Sequence, residues 1–134
     1  MCGIAGWISW DEDLRSKQKI VEAMTRKLTP RGPDAEGYWV APEAALGHRR
    51  LIVIDPEGGR QPMVREVGGR QCVLVYNGEL YNTAEIRNQL QAEGYRFQSY
   101  SDTEVVLMAY LAWGPDCLTR FNGIYAFAVW DLAA

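Results

Sequence analysis

The sequence predicts an α+β domain on three observations. Apolar, β-branched stretches lie at both ends of the chain, at 2–10 and 124–130. Gly68-Gly69 separates two apolar runs at 64–67 and 71–76, the spacing of a two-residue β-hairpin. Helical periodicity is gathered into a few stretches between the terminal strands. That arrangement favours antiparallel sheet with segregated helices over βαβ repetition.

Residues 2–10 read as a buried strand whose Gly3 and Gly6 leave the backbone near Cys2 bare. Residues 13–29 put Ile20, Met24 and Leu28 on one i, i+4, i+8 stripe with charges between them, an amphipathic helix that Thr29-Pro30 ends. Strands are expected at 36–40 and 45–54, followed by the Gly-Gly hairpin. Asn82 with Glu85 has the spacing of a capping box, and Ile86 with Leu90 gives a helical stripe that Gly94 closes. Ser101 and Glu104 form a second box ahead of Val105, Val106, Leu107, Met108 and Ala109. The helix that follows is apolar nearly all round and should be buried. Residues 124–130 read as another buried strand. Neither an internal repeat nor a low-complexity tract or linker interrupts the chain, so 1–134 is expected to be one domain.

With 134 residues, 48% of them hydrophobic, the chain can bury a core. A net charge of −3 and a pI near 5.2, without any basic run, give no field for nucleic acid or an anionic membrane, so neither partner is expected. There is no signal-peptide pattern and no apolar stretch approaching the roughly 20 residues that span a bilayer. A cytoplasmic protein is expected. Cys2, Cys72 and Cys117 are odd in number and far apart, which does not suggest a disulfide framework. A zinc site of these three with His48 would lack any CxxC knuckle, so no metal is expected. Cys72, in an alternating run, and Cys117, beside Leu118, read as core residues.

Chemistry centres on Met1-Cys2. Methionine is trimmed before a residue as small as cysteine, which would leave Cys2 with a thiol and a free α-amine. The amine titrates near about 8 and the thiol near about 8.5, so the amine can take the thiol proton without a histidine. The alternative is a cysteine placed second by accident. Asn77-Gly78 after the 71–76 strand reads either as a turn or as a place where backbone must approach a ligand. Arg50, beside His48 and Arg49, could be one of a solvated basic pair. Asp102 suits the first turn of a capped helix, where a carboxylate meets the positive end of the dipole. Arg31-Gly32-Pro33-Asp34 reads as a turn with flanking charges.

Taken together, Cys2-Gly3-Ile4, Arg31-Gly32-Pro33-Asp34, Gly47-His48-Arg49-Arg50-Leu51, Asn77-Gly78-Glu79-Leu80-Tyr81-Asn82, Ser101-Asp102-Thr103-Glu104 and Phe121-Asn122-Gly123-Ile124-Tyr125-Ala126-Phe127 stand in one register over nearly the whole chain. In this order the chain resembles the class II glutamine amidotransferase domain at the N-terminus of glutamine-hydrolysing asparagine synthetases. The resemblance implies the αββα four-layer sandwich of N-terminal-nucleophile hydrolases. It also implies roles. Cys2 would be the nucleophile on L-glutamine, and the Asn77 side-chain amide with the Gly78 N–H would form the oxyanion hole. Arg50 would bind the substrate α-carboxylate, and Asp102 with Glu79 the α-ammonium. The domain itself would need no cofactor; ATP and magnesium would belong to a synthetase domain in cis that adenylates aspartate, of which these residues hold neither a pyrophosphatase loop nor a P-loop. The Arg31-to-Asp34 stretch identifies the asparagine-synthetase-like branch.

The family's domain usually runs some tens of residues past the position of Trp130-Asp131, so the sandwich is expected to be incomplete at the C-terminus unless another copy, as a homo-oligomer, supplies the missing edges. Two rival readings stand beside the first: an amidotransferase serving a different acceptor, and a catalytically silent binding or structural module. A nucleophile–histidine triad is disfavoured, because no nucleophile elbow surrounds a cysteine.

Overall fold

Period-2 alternation along one strand sets the layers. Cys72, Leu74 and Tyr76 turn to one side, while Val73 and Val75 turn to the other, and all five are buried. The computed structural model describes residues 2–52 and 57–132. Its strands are β1 (Gly3–Ile8), β2 (Ala35–Val40), β3 (Ala44–Arg50), β4 (Met63–Val67), β5 (Arg70–Leu80) and β6 (Gly123–Asp131). Its helices are α1 (Gln18–Arg26), α2 (Thr83–Ala92) and α3 (Asp102–Trp113), with 3₁₀ turns at Leu14–Ser16 and Gly114–Arg120. Two antiparallel three-stranded sheets result, ordered β1-β3-β2 and β4-β5-β6.

Val73 and Val75 meet Leu46, Ile4 and Trp39 between the sheets. Outside the first sheet, α1 packs on β3, with Val21, Leu14 and Ala45 buried together. Outside the second, α2 and α3 cover Cys72, Leu74 and Tyr76 with Ile86, Leu90, Val105, Leu107 and Met108. The order helix, sheet, sheet, helices is the expected αββα sandwich. The Gly-Gly link is a hairpin turn, since Gly68 and Gly69 both have positive φ (59° and 82°), the conformation that a two-residue turn of this hand demands.

Several local expectations are corrected. The buried face of α1 is not Ile20 and Met24, which are exposed, but Val21 and Thr25. The helix is rotated because Thr25 has to sit against Gly47 of β3: a Cβ there would come within 1.9 Å of Thr25 Oγ1. Neither β1 nor β6 is buried on both faces. Ile8 is exposed on β1, and Ile124, Ala126 and Ala128 are exposed on β6. These are outer strands, and the core between the sheets gathers at Trp130 without extending along β6. β3 ends at Arg50, and the remainder of the strand expected over 45–54 includes Val53 and Ile54, outside the described residues.

Asn82 stands at the N-cap of α2 without capping it, because its amide group donates to Arg120 O (2.8 Å) and accepts from Asn122 N (3.0 Å). It ties the two chain segments that flank the β5–β6 ladder. Ser101 does cap α3, accepting Glu104 N–H at 3.3 Å. Glu104 does not return the bond to Ser101; its buried carboxylate takes the N–H groups of Gln98 and Ser99 and pairs with Arg65 at 2.9 Å.

Candidate active site

The β1–β3 register opposes Gly3 to Arg49, which brings Cys2 to the end of β3. There the Leu51 N–H lies 3.3 Å from Cys2 Sγ and can donate to it, while the Leu51 carbonyl lies 3.7 Å from the same sulfur. Arg31 Nε donates to the Cys2 carbonyl at 3.1 Å, holding the other side of the residue. The Arg31-to-Asp34 loop is thus a latch on the nucleophile's strand. Its Gly32 carbonyl accepts from Arg49 Nε (2.9 Å), and Asp34 Oδ2 accepts the Ile52 N–H (2.8 Å). Only glycine fits at 32, since a Cβ would stand 2.3 Å from the Arg49 carbonyl. Arg49 itself is a nearly buried partner of Glu36 at 2.9 Å, not a solvated cation.

Asn77 and Gly78 do not end a strand. β5 continues through them to Leu80, paired with Ala126 and Tyr125 of β6. At 78 a Cβ would meet Ile124 O at 2.5 Å and Tyr125 Cα at 2.6 Å, so the neighbouring strand by itself already requires glycine there. Asp102 starts α3 and accepts the Tyr76 hydroxyl proton at Oδ2, 3.0 Å away. Burial, then the Asp102 charge, push the Tyr76 phenol well above its ordinary range, so it remains a donor.

All six residues singled out in the sequence line a single cavity of about 290 Å³: Cys2, Arg50, Asn77, Gly78, Glu79 and Asp102. They arrive from four separate parts of the chain. Cys2 and Arg50 come from the first sheet, Asn77, Gly78 and Glu79 from the second, and Asp102 from a helix tip. A nucleophile, amide donors, a guanidinium and two carboxylates therefore face one space, which suits a small zwitterion with a reactive carbonyl. Leu51, Gln61, Tyr76, Ser101 and Thr103 complete the wall. Of these, sequence reasoning missed the Leu51 N–H, Tyr76 and Gln61. Tyr76 had one available signal, its place directly before Asn77-Gly78; a main-chain donor at Leu51 leaves none.

His48 does not line this cavity. It is buried, with Nε2 3.0 Å from the Tyr76 carbonyl, and burial, offset in part by that bond, pushes it down to about 4. At neutral pH it is uncharged and must carry its proton on Nε2 to donate there. Cys72 and Cys117 are buried in the core under the helices, and burial pushes both thiols up to about 11. Among the described residues no three His, Cys, Asp or Glu side chains converge as a metal site would need, and no helix is long and apolar enough to cross a membrane.

Comparison with known proteins gives a consistent set. The family model described as glutamine amidotransferase domain matches residues 1–134. The chain is 47% identical over 131 residues to glutamine-hydrolyzing asparagine synthetase 3 of Bacillus subtilis (strain 168), covering 98% of this chain and 21% of that protein. It is 35% identical over 131 residues to glutamine-hydrolyzing asparagine synthetase B of Escherichia coli (strain K12), covering 98% and 23%. The chain thus spans about a fifth of the length of these curated relatives. Among solved structures, the glutamine phosphoribosylpyrophosphate amidotransferase of B. subtilis, complexed with ADP and GMP, aligns with a TM-score of 0.57 at 29% identity, over 68% of this chain and 22% of that one.

Proposed function

Because this chain belongs to the glutamine amidotransferase domain family, we propose that it hydrolyses L-glutamine to glutamate and ammonia with Cys2 as nucleophile. The observation that carries the reading is the convergence of Cys2, Asn77, Gly78, Arg50, Glu79 and Asp102 on one cavity from four parts of the chain. Arg50 takes the α-carboxylate, and Asp102, oriented by the Tyr76 hydroxyl and joined by Glu79, takes the α-ammonium. The γ-carboxamide then faces Cys2. Its thiolate, facing the Leu51 N–H, attacks the carbonyl carbon, and the oxyanion is met by the Asn77 amide and the Gly78 N–H. The α-amine of Cys2, free once Met1 is removed, accepts the thiol proton and returns it to departing ammonia. Water cleaves the thioester and releases glutamate. Met1 lies outside the described residues; mass spectrometry of the intact chain fixes whether it is retained.

In the full-length protein the ammonia would serve a synthetase domain in cis, converting aspartate to asparagine with ATP and magnesium. The names and lengths of the relatives support that reading over another acceptor. Residues 1–134 would be its glutaminase domain, acting in the cytoplasm. The decisive assay is glutamate release. Cys2→Ala should abolish it in the full-length protein while leaving ammonia-dependent synthesis intact, and glutamate release surviving the substitution would remove the nucleophile assignment.

A further inference from the structure

Tyr76 directly precedes the two oxyanion donors, and among the described residues no strand pairs with its main chain on the β4 side. The β4–β5 ladder stops at Met63 opposite Leu74, two residues short of it. Side chains from elsewhere take over. Gln61 Oε1 accepts the Tyr76 N–H at 2.6 Å, and His48 Nε2 donates to the Tyr76 carbonyl at 3.0 Å. The other end of the Gln61 carboxamide donates from Nε2 to Thr103 Oγ1, 3.2 Å away. Since a backbone N–H can only donate, the amide oxygen must face Tyr76 and the amide nitrogen must face Thr103. Thr103 follows Asp102 in the first turn of α3. A single carboxamide on the cavity wall therefore joins the strand that carries Asn77 and Gly78 to the turn that carries Asp102.

We propose that Gln61 is a positioning residue, fixing the separation between the oxyanion donors on β5 and the ammonium-binding carboxylate on α3. The proposal rests on the glutaminase reading above. A substrate of fixed length must reach Asp102 with its ammonium while its carbonyl oxygen sits at Asn77 and Gly78, so the span between the two is a catalytic dimension. Satisfying an unpaired strand edge would require only the bond to Tyr76. The second bond, to Thr103, is what turns a cap into a bridge. The two halves of the bridge can be cut separately, because Thr103→Val removes the acceptor on α3 and leaves Gln61 free to hold β5.

The test compares Gln61→Met, Thr103→Val and Thr103→Ser with wild type in the full-length protein. Functional sites are counted by titration with a chloromethyl ketone analogue of glutamine. Gln61→Met should lower kcat per titrated site about 10- to 100-fold, the scale of a misplaced reacting geometry, and raise KM for glutamine. Thr103→Val should raise KM several-fold with kcat within about twofold of wild type, since only the ammonium end is released. Thr103→Ser, which keeps the acceptor, should behave as wild type. A Gln61→Met enzyme with wild-type kcat and KM per site overturns the proposal, as does a Thr103→Val defect that serine fails to repair. If Gln61→Met yields no titratable sites, the Thr103 pair decides alone. A wild-type protein that neither releases glutamate nor takes up the ketone would instead remove the glutaminase reading itself.

Discussion

Cys2 stands between two partners, the main-chain N–H of Leu51 at its sulfur and the Arg31 guanidinium at its carbonyl, the first directly after β3 and the second in the loop that leads into β2. The residues around it divide by the part of the substrate they face, and kinetics should separate them. Arg50→Ala and Asp102→Ala should mainly raise KM, because they act on charges present equally in ground and transition states. Asn77→Ala should lower kcat by about 10²–10³, the usual worth of one oxyanion donor. Steady-state glutamate release checks both, and normal turnover in Asn77→Ala would end its oxyanion role. Gly78 offers a different test. Because β6 backbone fills the place of a side chain, Gly78→Ala should cost about 1–3 kcal/mol of stability, read as a lowered denaturation midpoint.

At the scale of elements, α3 is placed by its first turn. Ser101 caps the helix, and Glu104 pins residues 98 and 99 from inside the core. Burial raises the Glu104 carboxyl, but the bonds from Gln98, Arg65 and Ser99 hold it below the usual carboxylate range. Ser101→Ala should cost about 1 kcal/mol by urea unfolding. Because the same turn aims Asp102, KM for glutamine should rise with it. The capping-box pattern identified the starts of both α2 and α3 from sequence, although at Asn82 the side chain makes no cap bond because residues 120 and 122 engage its amide. Spacing along the chain reports which local bonds are available, not which long-range partners compete for the same polar group.

Across the whole molecule, His48 bridges the two sheets, reaching from β3 to the Tyr76 carbonyl on β5. Burial holds it down to about 4 against an ordinary value of 6.5, so the unfolded chain binds a proton between these limits that the folded one does not. Stability should therefore be full above pH about 6.5 and fall toward pH 4, by about 3 kcal/mol from this group. Urea midpoints between pH 7 and pH 4.5 check the slope. His48→Gln, which can still donate to the Tyr76 carbonyl without titrating, should flatten it.

The sequence by itself determined the element types, the Gly-Gly hairpin, the buried character of α3 and six of the eleven residues that line the cavity. Periodicity and turn chemistry are local properties, and the site motifs carry their spacing in the chain. Only the tertiary structure decided which face of α1 is buried, why Gly78 must be glycine, and what holds Cys2, Asn77 and Asp102 in mutual register. Those answers depend on contacts between residues far apart in sequence: Thr25 against Gly47, β6 against Gly78, and Gln61 between Tyr76 and Thr103. A helix rotated by one residue, or a strand that ends two residues early, leaves no mark in its own segment. The burial that selects among such alternatives exists only once the layers have packed.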